Sequence, residues 1–554
     1  MRTPSLAPEL YRNADHAGDQ RFITQMHEQD LTPVGTDTSM PRVTVVVGPS
    51  PFTLPRGWEF FLTSPYEGAT YITTVLHNAG YPVRIVDVRY SPDPITTAFQ
   101  QVFDQPTDVL GICTFEDNFP FCRELMALVK DADRGMPIIC GGSLVTSVPH
   151  IFMEHTACDI AVISEGEITI LELLESYAAS RWDRDLPNIR GIWYRTREGQ
   201  PAINPPRGQM MDLDSLPRMR LELWPQSKHP LGLQPQIISS YSRGCKMDCS
   251  FCYRTTPQVR AKSPAKMDQD LRWLKERYGL EFCFFVDLTF SSHQAQTIEI
   301  CDVIKQHNLR WTCLTRCADM DEPRINAMRD AGADIVLYGV ESLAREVLRE
   351  ARKGNSENTT IRAMHKTFDA GVRFGALLIV GLPNETSESL AHMAEFAESY
   401  NHVTRVKYLS AMPGTTVYHQ ALETGLIRSE VEHLNWLSIE QALHEDEFLN
   451  VSGLPEGVCR DGYKRMYDAY QPGPVMDFKH WPEHFEYFHP QPNDGLPRST
   501  SYAGDGWRAD WSSAGASLVP NSERFTLNQV ADPQVAASGS RLMLCGAKRR
   551  LIEV

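Results

Sequence analysis

The sequence predicts an α/β protein built from two parallel-stranded units joined by a turn-rich linker. Three observations carry that prediction. Short apolar, β-branched runs alternate with helix-length stretches from Arg42 to Tyr177. The alternation resumes at residue 235 and continues to Thr415. Between them, residues 183–234 are rich in Pro, Arg and turn formers. Strand alternating with helix at this pace means parallel sheets.

In the first unit, residues 41–182, Val43–Val47 reads as a buried parallel strand from its length and β-branching. Gly68–Gly80 reads as a helix with Ile72, Val75 and Leu76 inward. Arg84–Val88 and Val109–Cys113 are further strands, and Phe121–Lys130 is a helix. Pro137–Cys140 is a fourth strand, ending at Gly141 and Gly142. Ile160–Ile163 is a fifth, followed by Glu165-Gly166-Glu167 and the helix Ile168–Tyr177. The sheet is expected to be doubly wound, with ligands beyond the carboxyl ends of its strands. Residues 1–40 are polar and aperiodic, an extension that drapes over a domain. In the linker, Gly191–Tyr194 with Glu198-Gly199 reads as a small hairpin.

The second unit, residues 235–425, begins with the strand-like Pro235–Tyr241. Helices are expected at Ala265–Tyr278, Ala295–His307, Pro323–Ala331, Thr359–Ala370 and Glu388–Tyr400. Strands are expected at Glu281–Val286, Leu309–Cys313, Asp334–Tyr338, Arg373–Val380 and Val403–Tyr408. Six β/α units make a partial (β/α)6 barrel, whose active site belongs at the carboxyl ends of the strands. Residues 426–554 are read as a mixed, mostly helical and loop-rich cap and tail. Helices are expected at Asn435–His444 and Gly457–Tyr470, and the cap extends to about residue 490.

A chain of 554 residues calls for two or three domains, and 42% hydrophobic content supports real cores. No run of eighteen apolar residues predicts a membrane span. The N-terminus has no apolar signal segment. The 13 cysteines are therefore expected to be reduced or iron-bound in the cytoplasm. A formal charge of −16 disfavours a nucleic-acid partner, since phosphate backbones demand clustered Lys and Arg.

The chemistry concentrates in Cys245, Cys249 and Cys252, a C-x3-C-x2-C run. Three soft thiolates this close can hold three corners of a [4Fe–4S] cluster and leave the fourth iron open. Zinc would want a fourth protein ligand nearby. The run, in a loop leaving a strand, resembles the signature of the radical SAM superfamily. The resemblance implies that the open iron takes the amino and carboxylate groups of S-adenosylmethionine (SAM). It places Phe251 near the adenine, Arg316 after the third strand, and Glu341-Ser342 after the fourth. Gly381, after the fifth, contacts the adenine side. Asp287-Leu-Thr289 stands where the family often has a glycine-rich turn for the SAM amino group.

The first unit resembles the cobalamin-binding domain of B12-binding radical SAM proteins, a Rossmann-like fold. Gly141-Gly142-Ser143 at a strand end, with Glu165-Gly166-Glu167 before a leucine-rich helix, carries that resemblance. It implies cobalamin contacts from Thr114, Gly141, Gly142, Ser143, Glu165, Gly166 and Glu167. No D-x-H-x-x-G run exists, and no His lies between His77 and His150. The lower face of cobalt is therefore expected to lack a histidine, with Arg56 or Trp58 of the Pro49–Tyr66 loop as candidates to cover it.

Together the resemblances imply a class B radical SAM methyltransferase. It would move methyl from SAM through cobalamin to a carbon of a small-molecule or peptide natural product. Its reducing partner would be flavodoxin- or ferredoxin-like. Cyclisation or rearrangement without methyl transfer is the alternative. An RNA methylthiotransferase fits poorly with the acidic charge and the lack of an N-terminal cysteine trio. A sensor without turnover is a further reading. No residue is assigned as a catalytic acid or base. Cys283, Cys301, Cys313 and Cys317 read as core residues rather than a second cluster, as do Trp311, Tyr338 and Tyr408.

Overall fold

The computed structural model describes residues 19–27, 39–49, 64–89, 91, 93–225, 236–253, 258–400, 403–443, 448–469, 507–512 and 515–520. Arg56 and Trp58 lie outside the described residues, as does the stretch from 470 to 490. Helix α1 (Gln20–His27) precedes β1 (Val43–Val47), α2 (Glu67–Asn78), β2 (Val83–Asp87) and α3 (Pro94–Asp104). There follow β3 (Val109–Thr114), α4 (Phe119–Ala132), β4 (Ile138–Gly142), α5 (Ser143–Ser147) and α6 (Pro149–His155). β5 (Ile160–Val162), α7 (Glu167–Ala178) and the short α8 (Trp182–Asp185) lead to β6 (Ile192–Arg195) and β7 (Pro201–Ile203). The seven strands form one sheet in the order β2-β1-β3-β4-β5-β6-β7. It is parallel through β5 and antiparallel for β6 and β7.

All five residues of β1 are buried, as a sheet covered on both faces requires. Alternate residues feed opposite layers. Val43 and Val45 join the core with Leu76 and Leu171, while Val46 joins Val102 and Leu125. Two details depart from the sequence expectation. The hairpin β6–β7 does not stand in a linker; it extends the first sheet. The N-terminal stretch holds α1, whose Phe22 and Met26, four residues apart, are buried against this core. One turn's spacing puts both on one helix face.

The second unit comprises β8 (Gln236–Ser239), β9 (Ser242–Arg243), β10 (Arg260–Ala261), α9 (Pro264–Tyr278), β11 (Phe282–Phe285) and α10 (Gln294–Gln306). It continues through β12 (Arg310–Thr315), α11 (Glu322–Asp330), β13 (Ala333–Glu341), α12 (Arg345–Glu350), α13 (Glu357–Asp369) and β14 (Arg373–Val380). It ends with α14 (Ser387–Tyr400), β15 (Val403–Tyr408) and α15 (Thr416–Glu423). Six parallel strands run in chain order, β8-β11-β12-β13-β14-β15. Ser263 caps α9 by accepting from Lys266 N, and Gly279 ends it at φ 68°. Cys283, Cys301, Cys313 and Cys317 are buried core residues, as are Trp311, Tyr338 and Tyr408.

The later helices divide. α16 (Glu430–Leu443) packs on α4 and α6 of the first unit. α17 (Glu456–Ala469) packs on α14 and β15, flanking the sheet edge. Tyr408 stacks between Phe448 and Tyr463, with ring centroids 4.2 and 4.3 Å away. Far along the chain, β16 (Trp507–Ser512) and β17 (Gly515–Pro520) pair antiparallel, where the sequence suggested only loop. Among the described residues no helix is long and apolar enough to cross a membrane.

Candidate active site

The cysteine run sits at the carboxyl end of β8, in a loop whose base is closed by the antiparallel pairing of β9 with β10. Asp287, at the end of β11, holds the entry to that loop. It accepts from Ser242 N at 2.6 Å, from Ser242 Oγ, and from Tyr241 N at 3.4 Å. Burial pushes its carboxyl up to about 7, against the donation from Ser242. The departure from a glycine-rich turn thus has a structural use: the carboxylate shapes the loop from beneath.

Three contacts hold the Cys245 and Cys249 thiols. Met247 N lies 3.5 Å from Cys245 Sγ, and Thr289 Oγ1 lies 3.8 Å from it. Cys249 Sγ lies 3.7 Å from Arg352 O. Just after Cys249, Ser250 donates from N to Ala351 O and accepts at O from Val417 N, both at 3.0 Å. None of the cysteines among the described residues is in a disulfide. Among those residues no three His, Cys, Asp or Glu side chains converge as around a single metal ion. The donor set fits a cluster instead, in which separate irons take the separate thiolates. Burial pushes the Cys249 thiol up, while Lys353 and Arg316 oppose that shift.

Lys353 is the residue that the sequence did not single out. It is buried, its Nζ lies 2.7 Å from Glu341 Oε1, and it stands 5.9 Å from the Phe251 ring centre. Its flanking residues both adopt positive φ, Arg352 at 51° and Gly354 at 69°. In the sequence only Gly354 hinted at this turn. Arg316 is buried, pairs with Asp319 at 2.9 Å and donates to Lys353 O at 3.0 Å. Ser342 is fully buried, and its Oγ accepts from Ala344 N at 3.3 Å. Gly381 has φ 94° and donates to Glu385 Oε2 at 2.6 Å. Phe251 packs with Leu382 and Leu409, so the Gly381 turn borders the same site. Phe251, Arg316, Glu341 and the thiols are thereby brought together.

Across from this site stand the ends of β3 and β4. Thr114 Oγ1 donates to Gly141 O and accepts from Val145 N, both at 3.1 Å. Gly142, at φ 124°, lies so close to Thr114 that a Cβ would fall 2.3 Å from its carbonyl oxygen. A Cβ on Gly141 would meet nothing within 4 Å. That open strand end, bordered by Ser143, is a cradle a bulky flat ligand can approach. The cysteine loop reaches it directly: Tyr253 donates through its hydroxyl to Ser143 O. Glu116, just beyond β3, accepts from Ser143, and burial pushes its carboxyl up to about 7.

The Glu165 and Glu167 carboxylates are engaged by arginines of the second unit. Glu165 contacts Arg260 at 2.8 Å, and Glu167 contacts Arg243 at 2.6 Å. Gly166, between them, packs on Ile72, whose Cδ1 would lie 3.1 Å from an added Cβ.

Comparison with known proteins agrees with this layout. Residues 63–174 match the B12 binding domain, and residues 239–397 match the Radical SAM superfamily. The chain is 25% identical over 381 residues to an uncharacterized methyltransferase of Pyrococcus horikoshii, covering 68% of this chain and 81% of that one. It is 25% identical over 346 residues to the anaerobic magnesium-protoporphyrin IX monomethyl ester cyclase of Rubrivivax gelatinosus, covering 61% of this chain and 62% of the cyclase. The fold resembles the radical SAM methyltransferase TsrM of Kitasatospora setae with cobalamin and a [4Fe–4S] cluster bound. The TM-score is 0.59 at 17% identity, covering 78% of this chain and 90% of that one. The cofactors are accordingly a [4Fe–4S] cluster, SAM and cobalamin. The chain thus joins a B12 binding domain to a Radical SAM superfamily domain.

Proposed function

We propose that this protein is a cobalamin-dependent radical SAM methyltransferase acting on a carbon of a small-molecule or peptide natural product. The observation that supports it most is the placement of the thiol loop against the β3–β4 strand ends, joined by Tyr253 and Ser143. Substrate entering that seam lies between both cofactor sites. When bound, the cluster with SAM supplies one-electron cleavage chemistry, and cobalamin supplies a methyl carrier. Cys245, Cys249 and Cys252 are the cluster ligands in this reading.

The chain's own residues set the conditions. Arg316 and Lys353 place two cations near Cys249, which oppose the upward shift that burial imposes on its thiol. Phe251, Glu341, Ser342 and Gly381 border the SAM position. Glu341 and Lys353 hold each other, so the carboxylate keeps its strained backbone position at φ 66°. Gly141, with Gly142 and Ser143, lets backbone approach cobalamin, and Thr114 locks that strand end. The domain boundaries follow these sites: the first unit, extended to Ile203, carries cobalamin, and residues from Gln236 to Glu423 carry the cluster. A small electron-transfer protein of flavodoxin or ferredoxin type would supply the electrons.

Cyclisation without methyl transfer is the second reading, supported by the likeness to the Rubrivivax gelatinosus cyclase. Product analysis separates the two. Anaerobic incubation of the reconstituted chain with SAM and a low-potential reductant is expected to yield both S-adenosylhomocysteine and 5′-deoxyadenosine. Deoxyadenosine alone favours cyclisation.

A further inference from the structure

The strongest feature outside the cofactor sites is a set of four charged side chains between the two units. Arg243 and Arg260 stand directly opposite each other on the ladder that closes the cysteine loop. Opposed residues of an antiparallel pair share a face, and like charges there repel. Nothing within this ladder neutralises them; the first unit does. Glu167 Oε1 lies 2.6 Å from Arg243 Nη2, and Glu165 Oε1 lies 3.4 Å from Arg243 Nη1. Glu165 Oε2 accepts from Arg260 Nη1 at 2.9 Å and from Met210 N at 2.8 Å. Its Oε1 makes a close contact of 2.8 Å with Arg260 Nη2 that lacks hydrogen-bond alignment. Arg260 Nη1 also donates to Met210 O at 2.8 Å. Burial alone would raise the Glu165 carboxyl; Arg243 and Arg260 outweigh it and hold it below its ordinary value.

The turn carrying these carboxylates is itself tied to the β4 end. Thr146 Oγ1 donates to Gly142 O at 2.7 Å and accepts from Ser164 N at 3.1 Å. Ser164 has φ 69°, a conformation uncommon outside glycine and asparagine. A continuous path thus runs from Gly142 through Thr146 and Ser164 to the two glutamates, the two arginines and the base of the cysteine loop. A second row reinforces it: Ser240 N donates to Glu67 at 3.0 Å, and Lys262 Nζ to Tyr71 at 3.0 Å.

We propose that Glu165 and Glu167, acting through Arg260 and Arg243, are positioning residues that fix the cysteine loop at a set distance from the β3–β4 strand ends, and so the cluster from cobalamin. The inference rests on the reading of both cofactor sites given above. Closure of the loop base is then conditional on docking of the first unit, because two facing guanidinium groups oppose closure without the carboxylates.

The test uses the full chain in two states. Without cofactors, Glu165→Gln/Glu167→Gln is compared with the parent by hydrogen exchange. Exchange in residues 242–253 is expected to accelerate about tenfold or more, while β13 and β14 keep their protection. Loaded with iron, sulfide and cobalamin, both proteins are compared by electron paramagnetic resonance. A reduced cluster speeds the relaxation of cob(II)alamin in a distance-dependent way, and the variant is expected to show a several-fold weaker enhancement. Unchanged exchange and unchanged relaxation overturn the proposal. Where the double variant takes up no cluster, Glu167→Gln alone carries the same measurements, with the same outcomes decisive. Neither readout needs methyl transfer, so an inactive methyltransferase reading and a failed positioning role are told apart.

Discussion

A buried lysine beside Cys249 and Cys252 alters their chemistry before any metal arrives. Lys353 opposes the burial that raises the Cys249 thiol, and it neutralises Glu341. Lys353→Met removes the cation and leaves that carboxylate unpaired. Deoxyadenosine formation is expected to fall about 10- to 100-fold, the range for groups that support a metal site from outside it. Iron content is expected to persist, since all three thiols remain; initial rates and iron analysis check both. Glu385 gives a second test at this scale. Burial pushes its carboxyl from an ordinary 4.5 up to about 8, while Gly381 N donates to it. Between those values the folded chain holds a proton that the unfolded chain has released. Stability therefore falls as pH rises through the window, by about 1.4 kcal/mol for each pH unit, and levels off above it. In Glu385→Gln the slope is expected to flatten, as denaturation midpoints across the window would show. The three cysteines were legible because spacing alone names their chemistry. Lys353 was not, since its meaning comes from a turn that folds it back onto Phe251 and Glu341.

At the scale of elements, the β4 end separates folding from binding. Gly142→Ala puts a Cβ 2.3 Å from Thr114 O and demands a left-handed backbone. It is expected to destabilise the chain by about 1–3 kcal/mol. Gly141→Ala meets open space. It is expected to leave the melting temperature unchanged and weaken cobalamin binding, read by titration of the corrin absorbance. Equal loss of stability in both would contradict the cradle. α16 supplies the other prediction. Its Leu434 and Leu437 are buried with Leu125 and Met126 of the first unit's core. Leu437→Ala is expected to cost about 2–5 kcal/mol in denaturant unfolding. Strands with β-branched or aromatic runs, such as Val43–Val47 and Phe282–Phe285, declared themselves in the sequence. The short helices α5, α6 and α12 did not, because five to seven residues show too little periodicity. The destination of α16 was equally hidden: its apolar residues say that it packs, not on which unit.

At the scale of the molecule, the parallel strands of two sheets turn their carboxyl ends toward one seam. The six-stranded sheet presents the thiol loop, and the seven-stranded sheet presents the Gly141 cradle. Tyr253 and Ser143 join them, and the Glu165 and Glu167 pairs lock the flank. In the six-stranded sheet the order of strands was readable from the alternation of elements, since consecutive β/α units build neighbouring strands. The seam was not, because long-range pairs such as Arg243 with Glu167 leave no local trace in a sequence. This architecture makes sense if one group travels from SAM across the seam. The most direct measurement follows a trideuterated methyl group from SAM under anaerobic, reducing conditions, in the full chain loaded with iron, sulfide and hydroxocobalamin. Labelled methyl on cobalamin, with S-adenosylhomocysteine in equal amount, is the expected result. Cobalamin that stays unlabelled while SAM is cleaved to 5′-deoxyadenosine would contradict the account.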